Sequence, residues 1–422
     1  MYQYELNNKG EMKDMENLLN TKRNEANDWK RCYYIDWLRI IGILSVFFFH
    51  NLRIFDNFFF PLKNRETSLF ATVLAVYFNL WIMPLLFLLA GASSKFSLLT
   101  RTTGQYAAER FKRLVIPFVF GVMTMIPPQR YIEYLSQEKF MGTFSEFIVW
   151  YFDSNLFFTN FSFDPQWFFK IGMHLWFLAV LLLFSFAGIP IFTCLRSQKG
   201  KLFIKKLAYI AEKPGGIFIF CIPLIIIRIT LQPIFNAYTS WSDSAFWFLM
   251  FIYGFIMVSD NRFTERANNN KYLALFIAVS GLVAVLSCYA LGYAGHWMEY
   301  PDYSAGAMLF HALWGIIVWS MLVFFLGVGK AYLNKEHRFL GLLNDTIMPF
   351  YMLHYSVMLF LGFQIISWDV SITEKFWANS LLSLFVTYGL CYLIMTKLFW
   401  LRVLLGMKPI KSVRMVFQKS HR

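Results

Sequence analysis

Long apolar runs separated by polar connections dominate the chain from about residue 35 to residue 400. Most of these runs approach the roughly 20 residues that a helix needs to cross the hydrocarbon core of a bilayer. The ten runs cover residues 35–54, 69–92, 114–128, 173–193, 217–234, 244–259, 272–293, 304–327, 346–367 and 376–400. Because a helix satisfies its own backbone hydrogen bonds in lipid, the pattern predicts an all-α, polytopic membrane protein with about ten transmembrane helices.

Two of the runs are irregular. The run 114–128 is short and ends at Pro127-Pro128, which indicates a tilted helix or one that continues beyond the two prolines. The run 217–234 carries Pro223 and Arg228. A proline and a cation inside an apolar run predict a kink and a polar face that turns toward the interior of the helix bundle.

Lysine and arginine are distributed unequally between alternate connections. The set that begins with the N-terminal segment carries 29 of them, whereas the other set carries 7. Since basic residues are enriched on the cytoplasmic side of a membrane, this asymmetry predicts that both termini are cytoplasmic. It divides the chain into an N-terminal tail (1–32), a ten-span membrane domain (33–400) and a basic C-terminal tail (401–422). Residues 1–31 contain no apolar stretch, so we predict no signal peptide.

The composition supports a membrane protein and excludes several other classes. Apolar residues make up 58% of the chain and charged residues only 15%, with a mean hydropathy of +0.48, which excludes a disordered protein. The net charge of +14 follows from the basic connections, so we expect membrane lipids and not nucleic acid as partners. The five cysteines are scattered without a CxxC pair, and we interpret them as packing residues.

The first run carries three ionisable residues on one stripe. Asp36 and Arg39 are three positions apart and can therefore pair. Arg39 and His50 are eleven positions apart, which is about three helical turns and roughly 16 Å along the axis. Ionisable residues at membrane depth are costly, and three of them in register favour a functional site. Histidine is also the side chain that exchanges a proton near neutral pH.

A basic cluster precedes the third run on the predicted cytoplasmic side. Arg110, Lys112 and Arg113 lie just before Pro117. They fit either simple membrane topology with lipid headgroup contacts or a phosphate clamp, because arginine offers a planar fork to phosphate oxygens. The small residues in 89–94 predict a helix end that lies close to a neighbouring helix or a ligand.

Further candidates lie in the fourth and ninth runs and in the longest outer connection. His174 and Trp176 open the fourth run, and Tyr351 and His354 share one face of the ninth. Each of these residues also fits a packing or interfacial role. The aromatic-rich connection 129–172 predicts either a segment that lies on the outer leaflet or a platform that stacks on sugar rings.

In this order along the chain, the motifs resemble those of the acyltransferase-3 family of integral membrane O-acyltransferases over about residues 33–400. The motifs are Asp36-x2-Arg39-x10-His50, Gly91-Ala92-Ser93, the basic run with Pro117, His174-Leu175-Trp176-Phe177-Leu178 and Tyr351-x2-His354. Within the family, the chain is most similar to bacterial glucan-modifying succinyltransferases. It departs from many relatives at Ala90-Gly91-Ala92, where they have Ser-Gly followed by an aromatic residue.

The resemblance implies an enzyme of the cell inner (plasma) membrane that moves an acetyl or succinyl group from cytoplasmic acyl-CoA to a hydroxyl of an extracytoplasmic or exported glycan. It implies acyl-CoA as a co-substrate, with no bound cofactor and no metal. The implied catalytic residues are His50, as general base or acyl carrier, with Arg39 and Asp36. Arg110, Lys112 and Arg113 would hold the donor, and His174, Trp176, Tyr351 and His354 would support the acceptor side.

Two other hypotheses remain open from the residues alone. Ten spans with interior polar groups also suit a transporter or flippase for a glycan or a lipid-linked precursor. The departure at Ala90 leaves open a membrane sensor or scaffold that binds acyl-CoA without turnover. Acyl transfer would support the acyltransferase, and substrate movement without an acyl donor would support the transporter. Binding of acyl-CoA without turnover would support the sensor.

Overall fold

The computed structural model describes residues 32–153, 164–299, 302–398 and 400–407, and all regular elements within these ranges are helical. In chain order the α-helices are α1 (Tyr33–Arg53), α2 (Leu69–Thr100), α3 (Thr103–Thr124), α4 (Ile126–Ser136), α5 (Phe144–Asp153), α6 (Gln166–Gly172), α7 (Trp176–Arg196), α8 (Gln198–Glu212), α9 (Cys221–Leu231), α10 (Trp241–Met257), α11 (Asn261–Asn269), α12 (Lys271–Ala290), α13 (Tyr293–Glu299), α14 (Ala305–Val328), α15 (Leu340–Ile365), α16 (Ile372–Thr396) and α17 (Leu401–Leu404). The predicted tails 1–32 and 401–422 fall largely outside these ranges and stay predictions.

The predicted all-α membrane architecture is confirmed. Within the described ranges, seven helical segments are long and apolar enough to cross a membrane, namely α1, α2, α6 with α7, α12, α14 with its π-helical extension, α15 and α16. Two bent pairs bring the number to nine, with angles of 40° between α3 and α4 and 105° between α10 and α11. The remaining apolar run forms the shorter helical segment Gly216–Leu231. The count of ten spans and the cytoplasmic termini stay predictions.

The run 114–128 continues through its double proline. Helix α3 ends at Thr124, α4 begins at Ile126, and the chain bends by 40° between them. Pro127 and Pro128 stand in the first turn of α4, where a backbone N–H has no helical acceptor to lose. The prediction of a helix that extends beyond the prolines is therefore confirmed.

The run 217–234 is interrupted at its start. It begins as a 3₁₀ turn (Gly216–Phe220) and continues as α9. Pro223 lies in the first turn of α9, where proline is tolerated. Arg228 lies in the last turn and is buried, which agrees with the predicted polar face toward the interior of the bundle.

The predicted helix end within the small-residue segment 89–94 is wrong. Helix α2 continues without a break to Thr100. The small residues serve a close helix crossing instead, since a Cβ atom added at Gly91 would lie 1.8 Å from the carbonyl oxygen of Phe251. A Cβ atom added at Gly254 of α10 would lie 1.8 Å from the carbonyl oxygen of Leu88. The backbones of α2 and α10 are therefore in direct contact.

Helix α1 lies between α2 on one side and α15 and α16 on another. A buried hydrogen bond joins α1 to α16, because the amide nitrogen of Asn379 donates to the side-chain oxygen of Asn51 over 2.8 Å. This hydrogen bond fixes the C-terminal part of α1 against α16.

We predict that Gly254→Ala destabilises the protein by about 1–3 kcal/mol, because the new methyl group forces two packed backbones apart. Thermal unfolding of the purified protein in detergent measures this change. Gly389→Ala in α16 is the matched control, since a Cβ atom there meets nothing within 4 Å. Equal melting temperatures for the two variants would contradict the close crossing.

Candidate active site

Three histidines from distant parts of the chain meet at one place. His50 comes from the end of α1, His174 from the 3₁₀ turn before α7, and His354 from the middle of α15. The ring centroid of His354 lies 5.6 Å from that of His50 and 5.6 Å from that of His174. The ring of Tyr355 lies 4.8 Å from His50 and 4.7 Å from His174. These four side chains form what we call the histidine cluster.

A break in the fourth apolar run places His174 in this cluster. Helix α6 ends at Gly172, and α7 begins only at Trp176. Between them, Met173 adopts a φ of 42°, a conformation that costs energy for a residue with a side chain. Strained backbone of this kind occurs frequently beside functional residues.

Backbone contacts fix the tautomers of two of the histidines. The Nδ1 atom of His354 lies 3.2 Å from the carbonyl oxygen of Phe350 and 2.7 Å from that of Tyr351. The Nε2 atom of His174 lies 3.1 Å from the carbonyl oxygen of Met352. A carbonyl oxygen only accepts hydrogen bonds, so each of these nitrogens carries the proton of a neutral ring. His354 Nε2 and His174 Nδ1 are therefore left as acceptors.

Three ring nitrogens of the cluster are buried without partners. Among the described residues, His50 Nδ1, His174 Nδ1 and His354 Nε2 have no hydrogen-bond partner. An unsatisfied buried polar atom costs about 1–3 kcal/mol. Three such atoms at one place call for an explanation, and a substrate that carries hydroxyl groups supplies one.

The other two acceptor-side candidates support the cluster rather than belong to it. Tyr351 is buried, and its hydroxyl donates a hydrogen bond to the backbone carbonyl of His174. The indole of Trp176 stacks on Trp247 with ring centroids 4.9 Å apart and also packs against Tyr238. Trp176 therefore belongs to an aromatic wall beside the cluster.

At the opposite end of α1, Arg39 is held by two partners. Its Nη1 atom lies 3.1 Å from a carboxylate oxygen of Asp36, which confirms the predicted pair. Its Nη2 atom donates to the Ser93 hydroxyl over 2.6 Å. Ser93 in turn donates to the backbone carbonyl of Leu89 over 2.7 Å. The guanidinium side chain keeps 30% exposure, so it is fixed in place but still accessible.

Two of the three predicted donor-binding cations lie near Arg39. Arg110 donates from Nη2 to the Ser94 hydroxyl over 3.2 Å, next to the serine that holds Arg39. The charges of Arg110 and Arg113 both act on Arg39. Lys112 is exposed and lies two positions from Arg110, so the two side chains do not share a helix face. The structure does not bring Lys112 to this group.

Within residues 32–153, 164–299, 302–398 and 400–407, no group of three or more His, Cys, Asp or Glu side chains is arranged to hold a metal ion.

The family of the chain is clear from its sequence over nearly the whole membrane domain. The family model described as an acyltransferase domain, acyltransferase-3, matches residues 33–396. The chain belongs to the acyltransferase-3 family. This membrane acyltransferase has no significant match among the curated proteins or the solved structures. The narrower resemblance to glucan-modifying succinyltransferases stays a prediction.

Sequence reasoning missed two functional candidates of the acyltransferase. Tyr355 contacts two histidines of the cluster, and its position four residues after Tyr351 on the same helix face was an available signal. Ser93 was noted only as part of a small-residue motif. Its contact with Arg39 spans 54 positions, and no local spacing signals such a contact.

We predict that Tyr351→Phe lowers kcat for acyl transfer about tenfold, because the carbonyl of His174 loses the hydroxyl that positions it. Tyr253→Phe is the matched control. Its buried hydroxyl also donates to a backbone carbonyl, that of Phe220 over 3.1 Å, but it lies outside the histidine cluster. An equal loss of activity in both variants would assign the effect to general packing.

Proposed function

We propose that this membrane acyltransferase moves an acetyl or succinyl group from acyl-CoA to a hydroxyl of a glycan, with His50 as the general base. The observation that carries the proposal is the histidine cluster, which offers three unpartnered imidazole nitrogens at one end of α1. The other end of the same helix holds Arg39 beside further arginines. One helix thus joins a site suited to proton transfer to a site suited to anion binding.

The proposed reaction needs a base at the acceptor hydroxyl and a thioester carbonyl within reach of that hydroxyl. The acceptor hydroxyl oxygen attacks the thioester carbonyl carbon, and its proton passes to His50. The carbon–sulfur bond then breaks, and the sulfur leaves as the thiol of CoA once it receives that proton. A positioned base contributes about 10²–10⁴ to the rate of such a step.

Among the three histidines, His50 is the best suited to act as the base. His174 and His354 each have one nitrogen bound to backbone carbonyls, so their rings are fixed as acceptors for the hydroxyl groups of a substrate. His50 has no hydrogen bond to a backbone carbonyl within the described chain, and the residue as a whole is half-buried. It can therefore take up and release a proton as the reaction proceeds. Attack by His50 itself, through an acyl-histidine, is the alternative use of the same nitrogen.

The arginines at the other end of α1 suit the phosphate groups of acyl-CoA. Arg39 and Arg110 present guanidinium forks that match phosphate oxygens, and Arg113 adds a third charge nearby. The two ends of the stripe lie roughly 16 Å apart along the helix, a span that suits the extended pantetheine arm of CoA. The basic connections predict that this end faces the cytoplasm, where acyl-CoA is made.

The remaining parts of the proposal follow from the same arrangement. The glycan hydroxyl reaches the histidine cluster from the extracytoplasmic end of the bundle, in the inner (plasma) membrane. Acyl-CoA is the co-substrate, and the proposed chemistry needs no bound cofactor. The resemblance to glucan-modifying succinyltransferases makes succinyl-CoA and acetyl-CoA the first donors to test.

We predict that His50→Ala lowers acyl transfer at least a hundredfold, the range expected for loss of a general base. Free thiol released from acetyl-CoA or succinyl-CoA by purified protein in nanodiscs measures the reaction. His337→Ala, which alters an exposed histidine in the connection before α15, should keep the wild-type rate. Full activity in a folded His50→Ala preparation would refute the proposed mechanism.

We also predict that Arg39→Ala and Arg110→Ala raise KM for acyl-CoA about tenfold or more, because each removes charged hydrogen bonds to phosphate. The same variants should change KM much less for S-acetyl-N-acetylcysteamine, a thioester without phosphates. Arg196→Ala removes an exposed cation at the end of α7 and serves as the control. Equal losses with both thioesters would place the arginines at the reacting carbonyl instead.

A further inference from the structure

A recess with both polar and apolar lining lies beside the histidine cluster and plays no part in the mechanism above. It is a cavity of about 150 Å³ lined by α2, α9, α10, α13 and α14, together with the connections around them. It reaches Trp247, which also stacks on Trp176. Since Trp176 follows His174 by two positions, the aromatic wall separates this recess from the cluster.

The charges in the recess cancel each other. The Nη2 atom of Arg228 lies 2.9 Å from a carboxylate oxygen of Asp243, and both side chains are at most 10% exposed. The Nη1 atom of Arg228 donates to the side-chain oxygen of Gln232 over 2.5 Å. The second carboxylate oxygen of Asp243 accepts from the backbone N–H of Thr239 over 2.9 Å. The Arg228–Asp243 ion pair therefore leaves no net charge in the recess that would attract an ionic ligand.

Two polar atoms of the recess remain unsatisfied. Among the described residues, Arg228 Nε and His311 Nε2 are buried and have no hydrogen-bond partner. Both residues line the cavity, with overall exposures of 8% and 6%. His311 stands alone in an apolar run of the sequence, where a packing role would be the simplest expectation. An unsatisfied ring nitrogen beside a cavity indicates instead that something outside the chain supplies its partner.

The remaining lining combines aromatic rings and side-chain amides with the aliphatic side chains of Leu80, Met83, Pro84 and Met298. Tyr238, Trp247 and Trp314 contribute aromatic rings, and Asn79 and Asn236 contribute amides. The volume greatly exceeds the roughly 10–15 Å³ that a single water needs. An alkyl chain would leave the polar groups without partners at considerable cost, whereas a sugar ring offers both hydroxyls and an apolar C–H face.

The recess opens toward the same end of the bundle as the histidine cluster. Helices α2 and α10 run parallel, because Phe87 packs on Trp247 with centroids 5.6 Å apart while Lys95 lies 5.4 Å from the ring of Phe255. Most of the lining residues of α2 and α10 precede these contacts, so the recess lies toward the N-terminal ends of both helices. Helix α1 ends three residues after His50, and a single connection then leads to the N-terminal end of α2. The N-terminal end of α2 and the histidine cluster therefore lie at the same end of the bundle.

We propose that this recess binds one neutral hexopyranose unit of the acceptor while a hydroxyl of the glycan lies at the histidine cluster. The inference rests on the proposed glycan acylation and adds a location for a sugar that does not react. In this site Arg228 Nε–H donates to a ring or hydroxyl oxygen, and His311 Nε2 pairs with a second hydroxyl. The C–H face of the sugar packs on Trp247 or Trp314.

Direct binding to the full-length protein in nanodiscs tests the proposal without any acyl donor. The probes are glucose, galactose, mannose and N-acetylglucosamine, with glucuronate as a charged counterpart. Saturation-transfer difference NMR measures their binding. We expect at least one neutral sugar to bind the wild type and to bind more tightly than glucuronate.

The variants locate this binding. His311→Leu removes a nitrogen that has no partner in the described chain, so it should fold, and it should raise Kd for the bound sugar about tenfold or more. Trp314→Ala should do the same, and Trp314→Phe should restore part of the affinity. Trp377→Ala, at an indole of α16 that is 51% exposed, should bind like the wild type.

Several outcomes would overturn the proposal. No binding of any neutral sugar to the wild type would mean that the recess holds water only. Tighter binding of glucuronate would refute the neutral site, and unchanged affinity in folded His311→Leu and Trp314→Ala would place the sugar elsewhere. Because these assays need no acyl-CoA, a failure of acyl transfer is distinguished from a failure of sugar binding.

Discussion

The need to keep the polar stripe of α1 away from lipid governs how this bundle is assembled. Helix α1 carries a cation, a carboxylate and an imidazole along one stripe, and lipid offers none of them a partner. Asp36 and Ser93 satisfy Arg39, so α2 has to pack against the N-terminal half of α1. His50 instead faces the rings of α15, so that helix has to lie against the other half. The order of helices around α1 follows from these requirements.

Aromatic packing lies between the histidine cluster and the recess at Arg228. The direct contact of α2 with α10 at Gly91 and Gly254 brings Phe87 against Trp247. Trp176 stacks on the same indole and follows His174 by two positions. The unsatisfied atoms of the cluster and those of the recess therefore lie in different surroundings.

The two ends of α1 differ in charge as their proposed chemistry requires. The Arg39 end concentrates cations, which suits a donor that carries several phosphates. The His50 end holds imidazole rings with unpartnered nitrogens, which suits hydroxyl groups that must lose or share a proton. Their separation keeps the charges of Arg39 and Arg110 away from His50, and Arg53 is a cation whose charge does act on that imidazole. In the proposed reaction, these two ends bind a charged donor and a neutral acceptor respectively.

The sequence by itself determined the helical class, the apolar segments, the Asp36–Arg39 pair and the family, because hydrophobic runs, helical spacing and linear motifs are local properties. It also placed His174 and His354 among the candidates, but it did not show that they meet His50. That meeting, the Ser93 contact with Arg39 and the wall around Trp176 depend on residues tens to hundreds of positions apart. Only tertiary packing decides such contacts, because they arise from how the helices cross. The recess at Arg228 and His311 is the clearest case, since five helices create it together.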